Sequence, residues 1–339
     1  MEKFGWEYIK SLQPEDTYLP ECWSVARIHG IGFHKLASLH KWKRPTDERA
    51  LKLMTRAAKS VMLDLKDITM AYGHNDEYSF VFKRETQIFE RRAVKIVAAI
   101  VSQFSAAFAV FWNEFFPDTE LQFPPSFDCC IWALQTHQNV RDYFSWRQAE
   151  CHFENLYNTA YSNLLQDGVS KTDVEKELSG ASVRVLNEIL LSRFNMEYKN
   201  KPELYKQGTV IILPATTNGF LSPKEKIPRR DSLLDKFIEL NCCVEDDTFW
   251  GNYPHVLNSK ALKMLADLDK EKKRMDVADL GPFQGKIPQR SRSNSVNLPV
   301  KFSYDDARNV GLQLGKIADD YKQTTSPERR TSLQSNGLF

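Results

Sequence analysis

The chain has 339 residues, of which 42% are hydrophobic, and its formal net charge is +2. That apolar content suffices for one large domain or two ordinary ones, and the near-neutral charge leaves any RNA contact to local basic patches. Residues 1–10 resemble neither a signal nor a transit peptide, and the six cysteines lack the CxxC spacing of a zinc site, so we expect reduced thiols in the cytoplasm or nucleus.

The first half of the chain mixes strand and helix patterns. Residues 25–28 predict a buried strand that ends at two glycines. Residues 45–48 (PTDE) are typical of a helix start with Thr46 as the cap, and an apolar stripe at helical spacing follows them. Residues 68–72 and 78–82 predict two strands joined by a hairpin loop.

Longer helices dominate from residue 89. Residues 89–112 predict a long helix whose apolar stretch is interrupted by Ser102, Gln103 and Ser105, which favours a buried helix over a membrane span. The later patterns predict strands at 127–134 and 209–213 and helices at 139–165, 172–178 and 185–194. A few strands among several helices, with a hairpin between them, indicate an α+β fold with a largely antiparallel sheet.

The strongest chemical signal is a pair of adjacent carboxylates, Asp76 and Glu77, which lead into an alternating strand. Such a hairpin could hold a divalent metal against a nucleoside triphosphate if the facing strand supplied a further ligand. That strand ends in His29, which is either a ligand or a packed, hydrogen-bonded histidine. Taken alone, the two carboxylates would also fit a solvated turn.

Separate blocks between residues 4 and 257, all in the expected order, resemble the tRNA-histidine guanylyltransferase family. They include 27–34 (RIHGIGFH), 45–54 (PTDERALKLM), 72–82 (YGHNDEYSFVF), 124–128 (PPSFD), 141–147 (RDYFSWR) and 151–159 (CHFENLYNT). Enzymes of this family add a guanosine to the 5′ end of histidine tRNA with divalent metal, ATP and GTP. The resemblance implies a polymerase-palm-like antiparallel sheet packed with helices.

The resemblance also implies a domain division. Residues 1–135 would form the palm-like catalytic-type domain, and residues 136–265 the helical C-terminal part. Residues 266–339 contain the polar run RSRSNS and predict a mostly disordered tail, with one possible helix at 304–321.

Functional residues follow from the matching positions. The resemblance implies Asp76 and Glu77 as catalytic residues and as Mg²⁺ ligands, together with the Gly30 carbonyl and the degenerate position His29. It implies nucleotide binding by Arg27, Gly32, Phe33, His34, Arg44, Asp47 and Asn75. It implies tRNA binding by Arg92, Lys95, His152, Asn155 and Asn158.

Several of these positions depart from the family pattern. His29 stands where the family has an aspartate, Ile31 and Leu186 stand where it has basic residues, and Cys129-Cys130 replaces glycine and arginine. Mg²⁺ prefers oxygen ligands, so loss of one carboxylate can lower the rate by about 10²- to 10⁴-fold. Manganese, a softer ion, could partly rescue a histidine ligand.

Three functional hypotheses remain open. The first is a catalytically impaired or inactive protein that still binds tRNA, nucleotide or partner proteins. The second is an active tRNA-histidine guanylyltransferase with an altered metal site, and the third is an interaction scaffold that uses the C-terminal tail. The resemblance implies histidine tRNA as the RNA partner and a homotetramer. An active paralogue or a tail-binding protein are further possible partners, and no membrane association is expected.

Two features have a simpler explanation than function. The aromatic residues Tyr143, Trp146, Tyr157 and Tyr161 favour core packing over base stacking. Cys129 and Cys130 favour a buried strand over catalysis, because no nearby base is identified for a nucleophile.

Overall fold

A six-stranded antiparallel sheet organises the part of the chain that the computed structural model describes, which comprises residues 7–12, 15–213 and 233–258. The strand order is β4-β1-β3-β2-β5-β6. The strands are β1 (Trp23–Ile31), β2 (Ile68–His74), β3 (Glu77–Phe82), β4 (Ser126–Leu134), β5 (Thr209–Ile212) and β6 (Ile238–Leu240). The expected α+β class with an antiparallel sheet is confirmed.

Eight α-helices accompany the sheet in the described ranges. They are α1 (Phe33–Leu39), α2 (Glu48–Asp64), α3 (Ala93–Phe115), α4 (His137–Gln166), α5 (Lys171–Leu178), α6 (Val183–Phe194), α7 (Glu203–Gln207) and α8 (Asp247–Asn252). Short 3-10 helices lie at Glu7–Leu12, Ile88–Arg91, Tyr198–Asn200 and Pro254–Val256.

The two faces of the sheet carry separate cores because side chains alternate along each strand. On one face, Ile28, Phe80 and Ile211 pack with α2 and α3. On the other face, Val25, Val81 and Val210 pack with α4 and the segment around Trp250. A third cluster joins α4 to α5 and α6 through residues such as Leu156, Leu186 and Leu190. The sheet is therefore covered on both sides, and its functional groups emerge at strand ends.

Helix α3 begins four residues later than predicted. Phe89, Glu90 and Arg91 all have left-handed backbone conformations, with φ of 49°, 58° and 60°. The buried Arg91 guanidinium donates to the Tyr18, Leu19 and Thr86 carbonyls. A left-handed conformation is costly for residues with a Cβ. The Arg91 contacts offset that cost and stabilise a non-helical turn before α3.

Helix α2 has a different cap from the predicted one. Asp47 Oδ1 accepts the Arg49 backbone N–H at 3.0 Å, which makes Asp47 the N-cap. The Thr46 hydroxyl instead donates to Asn155 Oδ1 at 3.3 Å. The expectation that Thr46 caps the helix was wrong, because Thr46 is used to join α2 to α4.

Other differences concern short or peripheral elements. Strand β6 was not predicted; it contains only three residues, too few for a visible alternation. Helix α3 is long and apolar enough to cross a membrane by length and composition alone, yet Ile96, Phe104 and Phe108 bury its inner face in the core. The predicted tail beyond residue 266 and its possible helix lie outside the described residues.

Candidate functional site

The candidate site forms where the end of β1 meets the turn between β2 and β3. His29 pairs with Glu77 across the two strands, and the Gly30 N–H donates to the Asp76 carbonyl at 2.9 Å. Asn75 has φ of 48° and turns the chain, so Asp76 faces the end of β1. A Cβ at position 30 would overlap the Phe33 ring, and only glycine therefore lets Phe33 pack beneath the strand end.

His29 and Asp76 form an open, polar pair. His29 Nε2 lies 3.8 Å from Asp76 Oδ2, and 45% of the His29 side-chain surface is exposed. The alternative of a packed histidine is therefore wrong. Burial raises the pKa of Asp76, and the nearby His29 opposes that rise. A cation that binds beside Asp76 would therefore stabilise its ionised carboxylate.

Glu77 is fully engaged by protein cations. Its Oε1 accepts from Arg147 Nη2 at 2.6 Å and Nε at 2.8 Å, and lies 2.9 Å from His74 Nε2. Arg27 Nη1 approaches Oε2 at 3.6 Å. Burial favours a higher pKa for Glu77, but the bonds and charges of His74 and Arg147 outweigh it and lower that pKa to about 2. The carboxylate is ionised and already neutralised.

This donor set does not fit a pair of magnesium ions. Two-metal sites need several oxygen ligands, whereas Glu77 is bound by Arg147 and His74, and an imidazole stands opposite the Asp76 carboxylate. Within the described residues, no group of three or more His, Cys, Asp or Glu side chains is arranged to hold a metal. His29 and Asp76 could together contact one softer cation such as Mn²⁺.

A cleft of about 240 Å³ opens beside Asp76. It is lined by five of the seven residues predicted to bind nucleotide, namely Phe33, His34, Arg44, Asp47 and Asn75, and also by Asp76 from the predicted catalytic set and Asn158 from the predicted tRNA set. Arg27 and Gly32 do not line it. Arg27 lies over the Trp132 ring, and Gly32 takes a left-handed conformation at the start of α1.

Side chains at the mouth of the cleft are held in place by neighbours. Asn75 Nδ2 donates to Glu154 Oε2 at 2.8 Å, and Asp47 pairs with Arg49 at 2.7 Å. Arg44 is exposed on the cleft. A guanidinium in this position can bind phosphate oxygens through two parallel hydrogen bonds.

The predicted tRNA-binding residues are dispersed. Arg92 pairs with Asp16 at 2.8 Å near the start of α3, and Lys95 is exposed one turn later. The His152 ring packs edge-on against Tyr198, and burial lowers the pKa of His152. Asn155 is buried and donates to the Cys151 carbonyl at 3.0 Å. Of this set, only Asn158 reaches the cleft.

The departures from the family pattern fall in different surroundings. Leu186 is fully buried in the cluster formed by α4, α5 and α6, so an aliphatic side chain there serves packing. Ile31 is 55% exposed, Cys129 is half-buried and Cys130 is exposed next to Arg27. The expectation that both cysteines are buried holds only partly.

Three contributors to the site were not predicted from the sequence: Arg147, His74 and Glu154. Residues 141–147 resemble the family, but the sequence alone predicted no role for Arg147 within them. A carboxylate at a buried strand position needs a cationic partner, and the arginine of that block was a candidate for it.

Comparison with known proteins matches most of the described region. Residues 6–135 match the family model described as tRNAHis guanylyltransferase, and residues 138–241 match the model of the Thg1 C terminal domain. The chain is 40% identical to the probable tRNA(His) guanylyltransferase of Bos taurus over 272 residues, which span 76% of this chain and 89% of the relative. The Homo sapiens counterpart is 39% identical over 266 residues, with the same coverage.

Solved structures give the same result. The crystal structure of tRNA(His) guanylyltransferase from Saccharomyces cerevisiae superposes with a TM-score of 0.58 at 36% identity, covering 61% of this chain and 92% of that one. A bacterial tRNA(His) guanylyltransferase-like protein in complex with ATP shares the fold, with a TM-score of 0.51 at 21% identity over 60% of this chain and 85% of that one.

Proposed function

The chain belongs to the tRNA-histidine guanylyltransferase family, and from this premise we propose that it binds a nucleoside triphosphate in the cleft beside Asp76 and adds guanylate to the 5′ end of histidine tRNA. The observation that carries the proposal is the convergence of the predicted nucleotide residues on one cleft next to Asp76. The relatives of about 40% identity carry this activity in their names.

The residues of the cleft have complementary roles in this proposal. Arg44 binds the triphosphate, and the His29–Asp76 pair at the strand end would hold a single cation such as Mn²⁺ beside it. Asn75, which Glu154 orients, and Asn158 position the nucleotide. Arg92 and Lys95 offer a basic surface to the tRNA backbone. No step is assigned to a metal, because the donor set does not fit two magnesium ions.

A second candidate, binding without efficient turnover, is favoured by His29. Its imidazole supplies no negative charge opposite Asp76, and Glu77 is neutralised by protein cations. Under this candidate, nucleotide and tRNA bind, but magnesium-dependent transfer is about 10²- to 10⁴-fold slower than with a carboxylate in place of the His29 imidazole.

One experiment separates the two candidates. Purified full-length chain is incubated with a histidine tRNA transcript, ATP and labelled GTP, in Mg²⁺ and separately in Mn²⁺, with Asp76→Ala as the control. Guanosine addition by the wild type but not by the control supports transfer. Binding of GTP and tRNA without product in either metal supports the second candidate, and failure to bind either ligand removes both.

We also propose self-association, through the outer face of α3. Val94 and Val110 are 64% and 73% exposed, and residues 96–113 contain no charged side chain. An exposed uncharged helix face of this kind marks a contact surface. The homotetramer, a cytoplasmic or nuclear location, an active paralogue as partner and a tail-based scaffold remain predictions.

A further inference from the structure

Two tryptophan side chains stand beside Glu77 on the sheet face that α4 covers. Trp146 of α4 is 47% exposed, and Trp132 of β4 is partly exposed. The buried Tyr143 ring lies between them, with its centroid 5.5 Å from that of Trp132 and 5.9 Å from that of Trp146. The expectation that Trp146 is a core residue was therefore wrong. We call Trp132, Trp146 and Arg27 the indole platform.

Each tryptophan of the indole platform is paired with an arginine that also contacts Glu77. The Arg27 guanidinium lies 5.4 Å from the Trp132 centroid and 3.6 Å from Glu77 Oε2. The Arg147 guanidinium lies 4.5 Å from the Trp146 centroid and binds Glu77 Oε1. These contacts close a ring through Tyr143 and limit the rotation of both indoles. Because the two indoles are already ordered, a ligand that stacks on them pays little conformational entropy on binding.

The indole platform adjoins the candidate site. Arg27 and His29 are two residues apart on β1 and share one face, so they stand about 7 Å apart along the strand. A molecule that reacts at His29 and Asp76 can therefore place its neighbouring unit over the platform.

We propose that the indole platform stacks an unpaired base of the RNA substrate, the first one in the 3′ extension that adjoins the 5′ end of an acceptor stem. This rests on the proposed function for its choice of RNA. Flat indole surfaces flanked by a guanidinium suit a base, which has a π face and a nearby phosphate. An aliphatic protein partner would make no use of the flat faces of the two indoles. The platform would thus recognise the end of the RNA by its unpaired character and not by its sequence.

The test compares two RNA hairpins of the same stem, one with an unpaired 3′ extension and one blunt. The wild-type chain should bind the extended hairpin more tightly. Trp146→Ala should weaken that binding by about 5- to 100-fold and leave the affinity for the blunt hairpin unchanged, because one stacked base is lost. Phe153→Ala is the matched control, since Phe153 is 40% exposed on the same helix, and it should change neither affinity.

A second measurement uses the wild-type chain alone. With 2-aminopurine as the first unpaired base, stacking should quench its fluorescence on binding, whether or not Trp146→Ala folds. The proposal is overturned if the base is not quenched or if folded Trp146→Ala binds the extended hairpin as the wild type does. The proposal is also overturned if Trp146→Ala dissociates an oligomer, seen as a lower molecular mass in solution, without weakening RNA binding. The surface would then be a protein interface. If the wild-type chain binds both hairpins equally, only the stacking role of the indole platform is rejected. If it binds neither hairpin, the proposed function itself is rejected.

Discussion

His29 is the residue whose replacement tests the candidate site most directly. His29→Asp would add a second carboxylate at the strand end where His29 Nε2 now lies 3.8 Å from Asp76 Oδ2. Because Mg²⁺ favours oxygen ligands and negative charge, we expect magnesium-dependent guanosine addition to rise by about 10²-fold or more. His29→Asn, which adds an oxygen but no charge, is the control and should give a much smaller gain.

The same substitution has a readout that does not depend on activity. Burial already raises the pKa of Asp76, and a second carboxylate beside it would raise that pKa further. We therefore expect His29→Asp to lower the melting temperature at pH 7 without metal and to recover it on addition of Mg²⁺. A variant whose melting temperature ignores Mg²⁺ would show that the strand end does not bind the ion.

Glu77 links the site to the stability of the fold. Its Oε1 holds Arg147 and His74, and only 8% of its side-chain surface is exposed. Arg147→Met leaves this carboxylate buried without its main partner, so we expect the free energy of unfolding to fall by about 3–5 kcal/mol in urea titrations at pH 7. The double variant Glu77→Gln, Arg147→Met should recover part of that loss, and a further loss instead would contradict the pairing.

The depressed pKa of Glu77 also predicts how stability depends on pH. The pKa is about 2 in the folded chain and about 4.3 in the unfolded chain, so the unfolded state binds more protons between these values. The stabilisation, on the order of 3 kcal/mol, is complete above about pH 5 and is lost as the pH falls toward 2. Glu77→Gln should reduce the fall in the free energy of unfolding between about pH 5 and pH 2, as measured by urea unfolding. An unchanged fall would show that other carboxylates cause it.

At the scale of elements, the start of α2 connects helix stability with the cleft. Asp47 caps α2 and lines the cleft, while Thr46 binds Asn155. Asp47→Ala should lower the free energy of unfolding by about 1–2 kcal/mol and weaken nucleotide binding, because the cap and the Arg49 pair are both lost. Thr46→Ala is the matched control, and a larger loss of stability there than for Asp47→Ala would restore threonine as the cap.

Local patterns predicted most elements, since strand alternation and helical periodicity are encoded by neighbouring residues. The hairpin of β2 and β3 and the helices α4 to α6 appear within a few residues of their expected bounds. The start of α3 could not be predicted, because it depends on contacts of Arg91 with Tyr18 and Leu19, about 70 residues away in sequence.

The site was predictable to the extent that its residues lie in recognisable blocks. The turn with Asp76 and the residues of the cleft came from such blocks. The engagement of Glu77 by Arg147 and His74 did not, because a list of residues does not say which charges a fold brings into contact. The exposure of Trp146 has the same origin, since an aromatic residue on a helix gives no sign of which neighbours cover it.

At the scale of the whole molecule, the outer face of α3 stands apart from the rest of the surface. Its exposed positions include Val94, Ala98, Ala106, Ala109 and Val110, and no charge interrupts residues 96–113. The inner face of the same helix fills the core, and the outer face carries valine and alanine together with the uncharged polar residues Ser102 and Asn113. A long helix face that exposes valine side chains and carries no charge favours a partner on its outer side.

A second copy of the chain is the partner that we predict for this face. Val110 is 73% exposed, and Val110→Asp would place a charge on this face without touching the core. We expect the molecular mass measured by light scattering to fall from that of an oligomer to that of a smaller species, with the melting temperature of the remaining fold little changed. Leu191→Asp is the matched control, because Leu191 is 51% exposed on α6. If Val110→Asp keeps the wild-type mass, or if Leu191→Asp lowers it equally, α3 does not form the interface between copies.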